Sequence, residues 1–480
     1  MAEGARGRAG GGGHEELDGG PGKGPWATRR RHLAGAGGLL SLAWVVACTT
    51  QSPSPAPAGT TRPQVTVRVH ARAGSEDEAY QKRLDDFNQQ PGQHIKAVYE
   101  GLMDYYTKLV TLMASGTVGD LIYVHHTNLA YQQYAAAGIL RAVDDLIARD
   151  KFDLSPWFPP TRSAMQFEGK MWGLPIRGQI VWNILFYNPN AIAGADLPDP
   201  ATWTHNDIST NMQKLTRKGA GDAAEAYGAM PGGWGDFSYT VSLMRRFGGE
   251  VMSQDGKQVT INSPACQAAL QWYYDAWHRH RTLLTSQRAP GEGTYEPLGT
   301  GKAAMMISAQ GGFRADIHKA LNGAYQLEFR VMPRGPGNRV GGFLALNDSS
   351  IIAASPQPNE AWEVLKWLAN KDTSYALATQ QTGSNTPNFR KDTYCDERLM
   401  ADPRFSRKSM EAICAGAELP EPDALIWNLR FDQFNSLLSQ RMSEIRDNKA
   451  EPTIGWLNAL RTDLQAIADL PRDTGLGGGR

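Results

Sequence analysis

The sequence predicts an α/β protein built from more than one substructure, and three observations carry that expectation. Strand-like and helix-like segments alternate from residue 64 onward. QVTVRVH (64–70) places Val65, Val67 and Val69 at every second position, and residues 76–88 place Tyr80, Leu84 and Phe87 at helical spacing. HIKAVYE, MDYYTKLVTLMA and DLIYV then repeat strand, helix, strand, an alternation that implies right-handed crossovers and a parallel-rich sheet. At 480 residues the chain exceeds what one ordinary core accommodates. The third observation is the stretch 167–190, FEGKMWGLPIRGQIVWNILFYNPN, where a turn and a short apolar run stop at Leu174-Pro175 before VWNILFYN continues as an apolar strand. Proline cannot donate to a ladder and biases its predecessor towards extended geometry, so Pro175 is expected to joint two extended pieces. Arg177, Gly178 and Gln179 sit at that joint with no packing reason to be polar, and the stretch reads as a hinge with a ligand-facing lip.

The N-terminus carries targeting signals. Residues 1–27 are Gly-rich with scattered charge and are expected to be disordered. The cluster Arg29, Arg30, Arg31 then precedes an apolar segment, 33–47, too short to span a bilayer comfortably, which reads as an export signal rather than an anchor helix. Thr28-Arg29-Arg30-Arg31-His32-Leu33 resembles a twin-arginine signal with His32 where Phe is more usual, although an ordinary secretory segment carries similar arginines. Val45-Val46-Ala47-Cys48 resembles a lipobox, in which Cys48 is diacylated and becomes the mature N-terminus. Residues 1–48 are thus a leader, 49–63 a Ser/Thr/Pro-rich tether, and 472–480 a disordered tail. The expected location is the outer face of the cytoplasmic membrane, held by a lipid anchor. The 49 basic and 49 acidic residues cancel, which leaves no electrostatic footprint for nucleic acid.

Loops beyond the carboxyl ends of parallel strands are where such sheets bind ligands, so 72–76 (Arg72, Glu76) and 125–128 (His125, His126, Thr127) become candidates. Adjacent histidines rarely converge on one ion without further ligands, and no Cys/His array of zinc spacing is present, so no metal and no cofactor are expected. Further on, Trp203 should pack and Asn206 or Asp207 should stand near a helix cap. AYGAMPGGWGDFSYTVSLMRRFGG predicts a strand, a Gly-rich turn and a helix. Trp234 and Phe237 lie on that Gly-rich approach, where ligand contact suits an aromatic better than core packing does. VMSQDGKQVTIN reads as a hairpin turning at Asp255-Gly256. In the helix that follows, Cys266 should be core, while His278 and His280, two apart, face different sides and should be solvated. Residues 303–308 form a buried strand, after which Gln310 and Phe313 open a helix. Cys395 and Cys414 flank a helical hairpin and are candidates for a disulfide in an oxidising compartment.

Taken in order and spacing, these motifs resemble the extracellular solute-binding proteins of ABC importers, in the sugar-binding family typified by maltose-binding protein. The resemblance runs with gaps from about Gln64 to Leu470. It rests on Gly-Lys followed by Gly-Leu-Pro and apolar residues ending Tyr-Asn at the first lobe crossing, and on Pro200-Ala201-Thr202-Trp203 at the start of the second lobe. The resemblance implies a two-lobed periplasmic-binding fold, with lobe 1 formed by 64–176 and 331–394 and lobe 2 by 177–330 and 395–471. It implies a monomer that carries a sugar to ABC permease subunits. Arg177, Gln179, Gln310 and Arg430 would hydrogen-bond the ligand; Trp182, Trp234, Phe313 and Trp427 would stack on it. Gly342 would lie in the return crossing. The sequence departs from the family pattern in Arg177 and in Gly119-Asp120-Leu121-Ile122, where Pro-Asp is common.

Catalytic signatures are missing: there is no Gly-x-Ser-x-Gly elbow, no Ser-x-x-Lys, no His-Glu-x-x-His and no Walker loop. Binding is therefore favoured over turnover. The alternatives are the same fold with a glycerophosphodiester, polyamine or organic acid, or a ligand-sensing lipoprotein. A phosphate would favour Arg72 and Arg177.

Overall fold

The computed structural model describes residues 62–74, 77–125, 131–219, 224–232, 237–284, 295–308, 315–379, 390–417 and 430–470. Cys48 and the tether lie outside the described residues. The strands in chain order are β1 (Val65–Arg72), β2 (Ile95–Leu102), β3 (Leu121–His125), β4 (Gln166–Phe167), β5 (Lys170–Met171) and β6 (Leu174–Trp182). They continue as β7 (Ile184–Tyr187), β8 (Arg217–Lys218), β9 (Ala224–Gly232), β10 (Ala303–Ser308), β11 (Glu328–Val331) and β12 (Gly342–Ile351). Two five-stranded sheets result, ordered β2-β1-β3-β12-β6 and β11-β7-β10-β9-β8, with β4-β5 a separate hairpin.

In the first sheet β1 pairs in parallel with β2 and with β3, while β12 runs antiparallel between β3 and β6. The parallel part follows from the strand–helix–strand alternation: a helix between strands returns the chain to the same end of the sheet. Val67 and Val69 are buried, as are Tyr80, Leu84 and Phe87 of the helix Asp77–Asn88, the residues whose periodicity defined these elements. That helix packs against Pro358–Leu368, with the Phe87 and Trp367 rings edge to face at 5.7 Å. Around the second sheet, Trp203, Cys266, Trp277, Leu438 and Leu457 share one core. Thr204 and Asp207 form a reciprocal capping box at the start of His205–Leu215, which places Asp207 at the cap as its spacing suggests.

Pro175 is not where the chain changes sheets. β6 runs from Leu174 through Trp182 and pairs with β12, whereas β7 pairs with β10 and β11, so the change falls at Asn183. A proline at the second residue of an edge strand needs no ladder partner for its missing N–H, so β6 continues past it. Val331 likewise still belongs to the second sheet, and the return to the first is complete only at Gly342. Residues 390–417 are shared more widely than the expected boundary at 395. Lys371 pairs with Asp396 at 2.9 Å, while Ser409 Oγ accepts from the Phe329 amide of β11 at 3.0 Å. His278 also departs from expectation: its ring Nε2 is 2.9 Å from the Ile445 carbonyl, because the last turn of its helix widens to a π-helical turn, Asp275–Arg279.

Cys395 and Cys414 are joined by a disulfide that closes a separation of 19 residues, with Cα atoms 5.2 Å apart. Cross-linking a loop of this length restricts the unfolded chain. Cys414→Ser should therefore lower unfolding free energy by about 3 kcal/mol, read from urea titrations of the two proteins.

A buried histidine, His70, and a half-buried one, His205, make stability depend on pH. His70 Nε2 accepts the Gly119 amide at 2.8 Å while Nδ1 lies 3.2 Å from Glu100 Oε2, and burial pushes its pKa below the usual value. His205 packs on Phe247 and Trp272 with ring centroids at 5.3 and 5.8 Å. Burial first, and the Arg246 charge second, push its pKa down to about 4. Both folded-state values lie below the unfolded one, so the unfolded chain takes up protons first as pH falls. Stability should fall between about pH 6.5 and pH 4, and His205→Phe should flatten part of that fall in denaturant midpoints measured across this range.

Candidate functional site

Strand register brings the carboxyl ends of both sheets to the place where the chain crosses between them. In the first sheet β1 and β2 end together, Arg72 opposite Leu102. Asn347 of β12 stands opposite His125 on one side and Arg177 on the other, so those two residues lie level along the sheet. Beyond Asn347, 342–346 run antiparallel beside 178–182, with Gln179 opposite Ala345 and Trp182 opposite Gly342. In the second sheet the carboxyl ends of β9 and β10 meet at Gly232 and Ser308, and Ser308 is opposite Ile184, the first residue after the crossing. The segments that leave those two strand ends contain Trp234, Gln310 and Phe313.

The described first-sheet wall of this crevice is a cavity of about 620 Å³ lined by Arg72, Ala73, Leu102, Met103, Asp104, Tyr105, Tyr106 and Thr107. Its shape follows from a tight turn. Asp104 takes a left-handed conformation (φ 49°, ψ 46°) that reverses the chain from β2 into the helix Tyr105–Ala114. Asp is among the few residues that visit this region at modest cost. The Ala73 amide donates to the Leu102 carbonyl at 3.1 Å, and the Tyr105 hydroxyl donates to the Tyr123 carbonyl at 2.8 Å, which pins the helix to β3.

Arg72 gives the wall its chemistry. Its guanidinium lies 5.3 Å from the centre of the Tyr123 ring and is hydrogen-bonded with Tyr106, with the Tyr80 phenol also near. Burial raises the Tyr123 and Tyr80 pKa values, so at neutral pH these phenols are uncharged dipoles around a permanent cation. Tyr99 adds a hydroxyl that donates to the Arg72 carbonyl at 3.2 Å. At the rim Met103 is 62% exposed. Fixed hydroxyls, one cation and apolar ring surface suit a polyhydroxylated solute, whose C–H faces lie on rings while its oxygens find donors.

Among the residues expected at the site, strand register sets Trp182 opposite Gly342 and places His125 and Arg177 on either side of Asn347, while Arg72 pairs with Leu102, a residue outside the expected set. The side chains of His125, Arg177, Gln179, Trp182 and Phe237 lie outside what is described, as do residues Glu76, His126, Thr127, Trp234, Gln310, Phe313 and Trp427 entirely. Arg430 is half-buried at the N-cap of Phe431–Arg446, a helix whose inner face, Phe434, Leu438 and Met442, belongs to the second-sheet core. Met103, Asp104 and Tyr106 were missed. MDYYTKLVTLMA read as a helix alone, and the available signal was a paired Tyr105-Tyr106 at a helix start beyond a strand end. Among the described residues no group of three or more His, Cys, Asp or Glu could hold a metal, and no helix is long and apolar enough to cross a membrane.

The family model for bacterial extracellular solute-binding proteins matches residues 73–374. Binding proteins of Brucella abortus and Brucella suis are 24% identical over 310 residues, covering 62% of this chain and 72% of theirs. The fold is similar to that of the sugar-binding protein MalE of Xanthomonas citri, with a TM-score of 0.69 and 17% identity over 84% of this chain and 97% of that one. It is also similar to an ABC substrate-binding protein of Listeria monocytogenes in complex with cycloalternan (TM-score 0.67, 18% identity, 84% and 98% covered). A third is UgpB of Mycobacterium tuberculosis in complex with glycerophosphocholine (0.66, 16%, 84% and 98%). Two mixed sheets with an antiparallel ribbon running between them form the two-lobed periplasmic-binding fold, and by the match over 73–374 the chain belongs to the bacterial extracellular solute-binding proteins.

Proposed function

We propose that this protein captures a carbohydrate in the crevice between the carboxyl edges of its two sheets and delivers it to an ABC permease, acting as a binding protein rather than an enzyme. The observation that carries the reading is the 620 Å³ first-sheet wall, in which tyrosine rings and hydroxyls surround Arg72. Solutes of stacked C–H faces and ringed hydroxyls match such a surface, and the Xanthomonas and Listeria structures named above are those of a sugar-binding protein and a cycloalternan complex. Ligand contacts from both lobes stabilise the closed form only to the extent that affinity for that form exceeds affinity for the open one. The same export reading makes Cys48 the lipid anchor, with 49–63 as the tether that holds the body, as a monomer, at the outer membrane face. A glycerophosphodiester is the second reading. It is favoured by the half-buried position of a permanent cation, Arg72, at the crevice wall, and by the glycerophosphocholine bound in the Mycobacterium structure.

Thermal-shift screening of the full chain against maltotriose, mannotriose, glycerophosphocholine, spermidine and citrate separates the readings. At about 100 times its dissociation constant a true ligand adds roughly 2.7 kcal/mol of stability. A saccharide is the expected hit, and silence from both saccharides with a response to glycerophosphocholine would replace the sugar. Arg72→Gln sharpens the distinction. A hydrogen bond to an ionised group contributes about 1.5–3 kcal/mol, so loss of the cation should weaken a phosphodiester at least tenfold in calorimetric titration and a neutral sugar only a few-fold.

The anchor has its own readout. Cells expressing the intact chain should incorporate labelled palmitate into it and retain it in the membrane fraction, and Cys48→Ser should abolish the label and release the protein.

A further inference from the structure

We propose that Met103 is a modification site on the first-sheet wall: hydrogen peroxide converts it to the sulfoxide ahead of the other described sulfurs, and the added oxygen weakens capture of solute there. The distribution of sulfur through the chain singles this residue out. Of the 15 methionines, Met1 lies outside the described residues, Met113 is half-buried against the core, Met103 is 62% exposed, and every other one is buried. The described cysteines are equally closed to an aqueous oxidant. Cys395 and Cys414 are bonded to each other, and Cys266 is buried, with burial pushing its thiol up to about 11. A thiol held that far above neutral pH supplies almost no reactive thiolate.

Backbone geometry holds Met103 at the rim. Before it, Leu102 ends β2 opposite Arg72, and the Leu102 carbonyl accepts from the Ala73 amide at 3.1 Å. After it, Asp104 is left-handed at φ 49°, and its carbonyl accepts from the Lys108 amide at 3.1 Å. Met103 stands between these two fixed residues, so its side chain stays outside while Tyr105, two positions on, is buried. The same turn makes it part of the cavity lining, beside Arg72, Asp104, Tyr105 and Tyr106.

The reaction needs only the thioether and the oxidant. The Met103 sulfur attacks one peroxide oxygen and gives up two electrons as the O–O bond breaks. The departing hydroxide then takes the proton of the transferred OH and leaves as water, and the sulfoxide remains. An unbranched thioether moulds itself to an irregular apolar face, which suits it to the C–H surface of a solute on this wall. Oxidation turns that flexible apolar group into a polar, chiral one. Covering the new S–O dipole with the apolar face of a solute strips it of water without returning a donor, so the oxidised wall holds the solute less tightly.

The effect on capture rests on the proposed function, whereas the order in which the sulfurs oxidise is read without any solute. In the full chain carrying Cys48→Ser, timed exposure to dilute hydrogen peroxide followed by peptide mass mapping should place oxygen on Met103 about tenfold faster than on Met113 or any buried methionine. Calorimetric titration with maltotriose and with glycerophosphocholine, before and after peroxide, should show about fivefold weaker binding of whichever solute responds. Met103→Leu should abolish that response to peroxide. Met103→Gln, which sets a polar group of similar length on the rim, should bind weakly from the start. Earlier oxidation of another described methionine overturns the site. Unchanged binding once Met103 carries its oxygen, or a loss of binding that persists in Met103→Leu, overturns its role in capture. Silence of the untreated protein towards both solutes overturns the capture reading and that role with it, while the peptide map still decides the site.

Discussion

The antiparallel pairing of β6 with β12 is the constraint on which the architecture depends. Each strand belongs to the first sheet over part of its length and then runs on, so that one hydrogen-bonded ribbon both completes that sheet and carries the chain to the second. That pairing ties the outgoing crossing after Trp182 to the return at Gly342. With it, Arg72 and Leu102 at one edge and Gly232 and Ser308 at the other flank the same ribbon.

Restraint on this ribbon comes from both sheets. Its second-sheet end is held by neutral and charged donors on buried carbonyls, from Asn183, Arg245 and Arg246, in an interior where such bonds are costly to lose. Its first-sheet end merges into a five-stranded sheet covered by helices.

The chemistry of the described wall is equally a product of local geometry. Asp104 in a left-handed turn sets the direction of Tyr105–Ala114, which brings Tyr106 to Arg72, while β3 supplies Tyr123 beneath the guanidinium. The arginine keeps its charge and the phenols keep their protons, so the wall offers donors and acceptors together. Such a mixture suits hydroxyls and an anion alike, which is why sugar and phosphodiester are the two readings to separate.

Much of the fold was legible from residue order, because burial on one face of a strand or helix imprints a period that needs no partner to be read. Val65, Val67 and Val69 marked β1, Tyr80, Leu84 and Phe87 marked its neighbouring helix, and 303–308 marked β10 with its observed bounds. The candidate residues were legible only in part. Arg72 could be picked out as a polar residue beyond a strand end, but Tyr106 could not, since its role depends on a turn geometry and on a β3 ring distant in sequence. The crossing was misplaced at Pro175 because a proline's local preference is the same in an edge strand as in a joint. What distinguishes the two is the partner strand β12, which lies more than a hundred and fifty residues away in the chain. Sequence alone therefore determined the α/β class, the elements and their order, which are set by short-range periodicity. Tertiary structure decided where the chain changes sheets, which residues share a wall, and that the Asn183 amide meets the Ser242 and Val340 carbonyls, because those follow from contacts between segments that only the fold brings together.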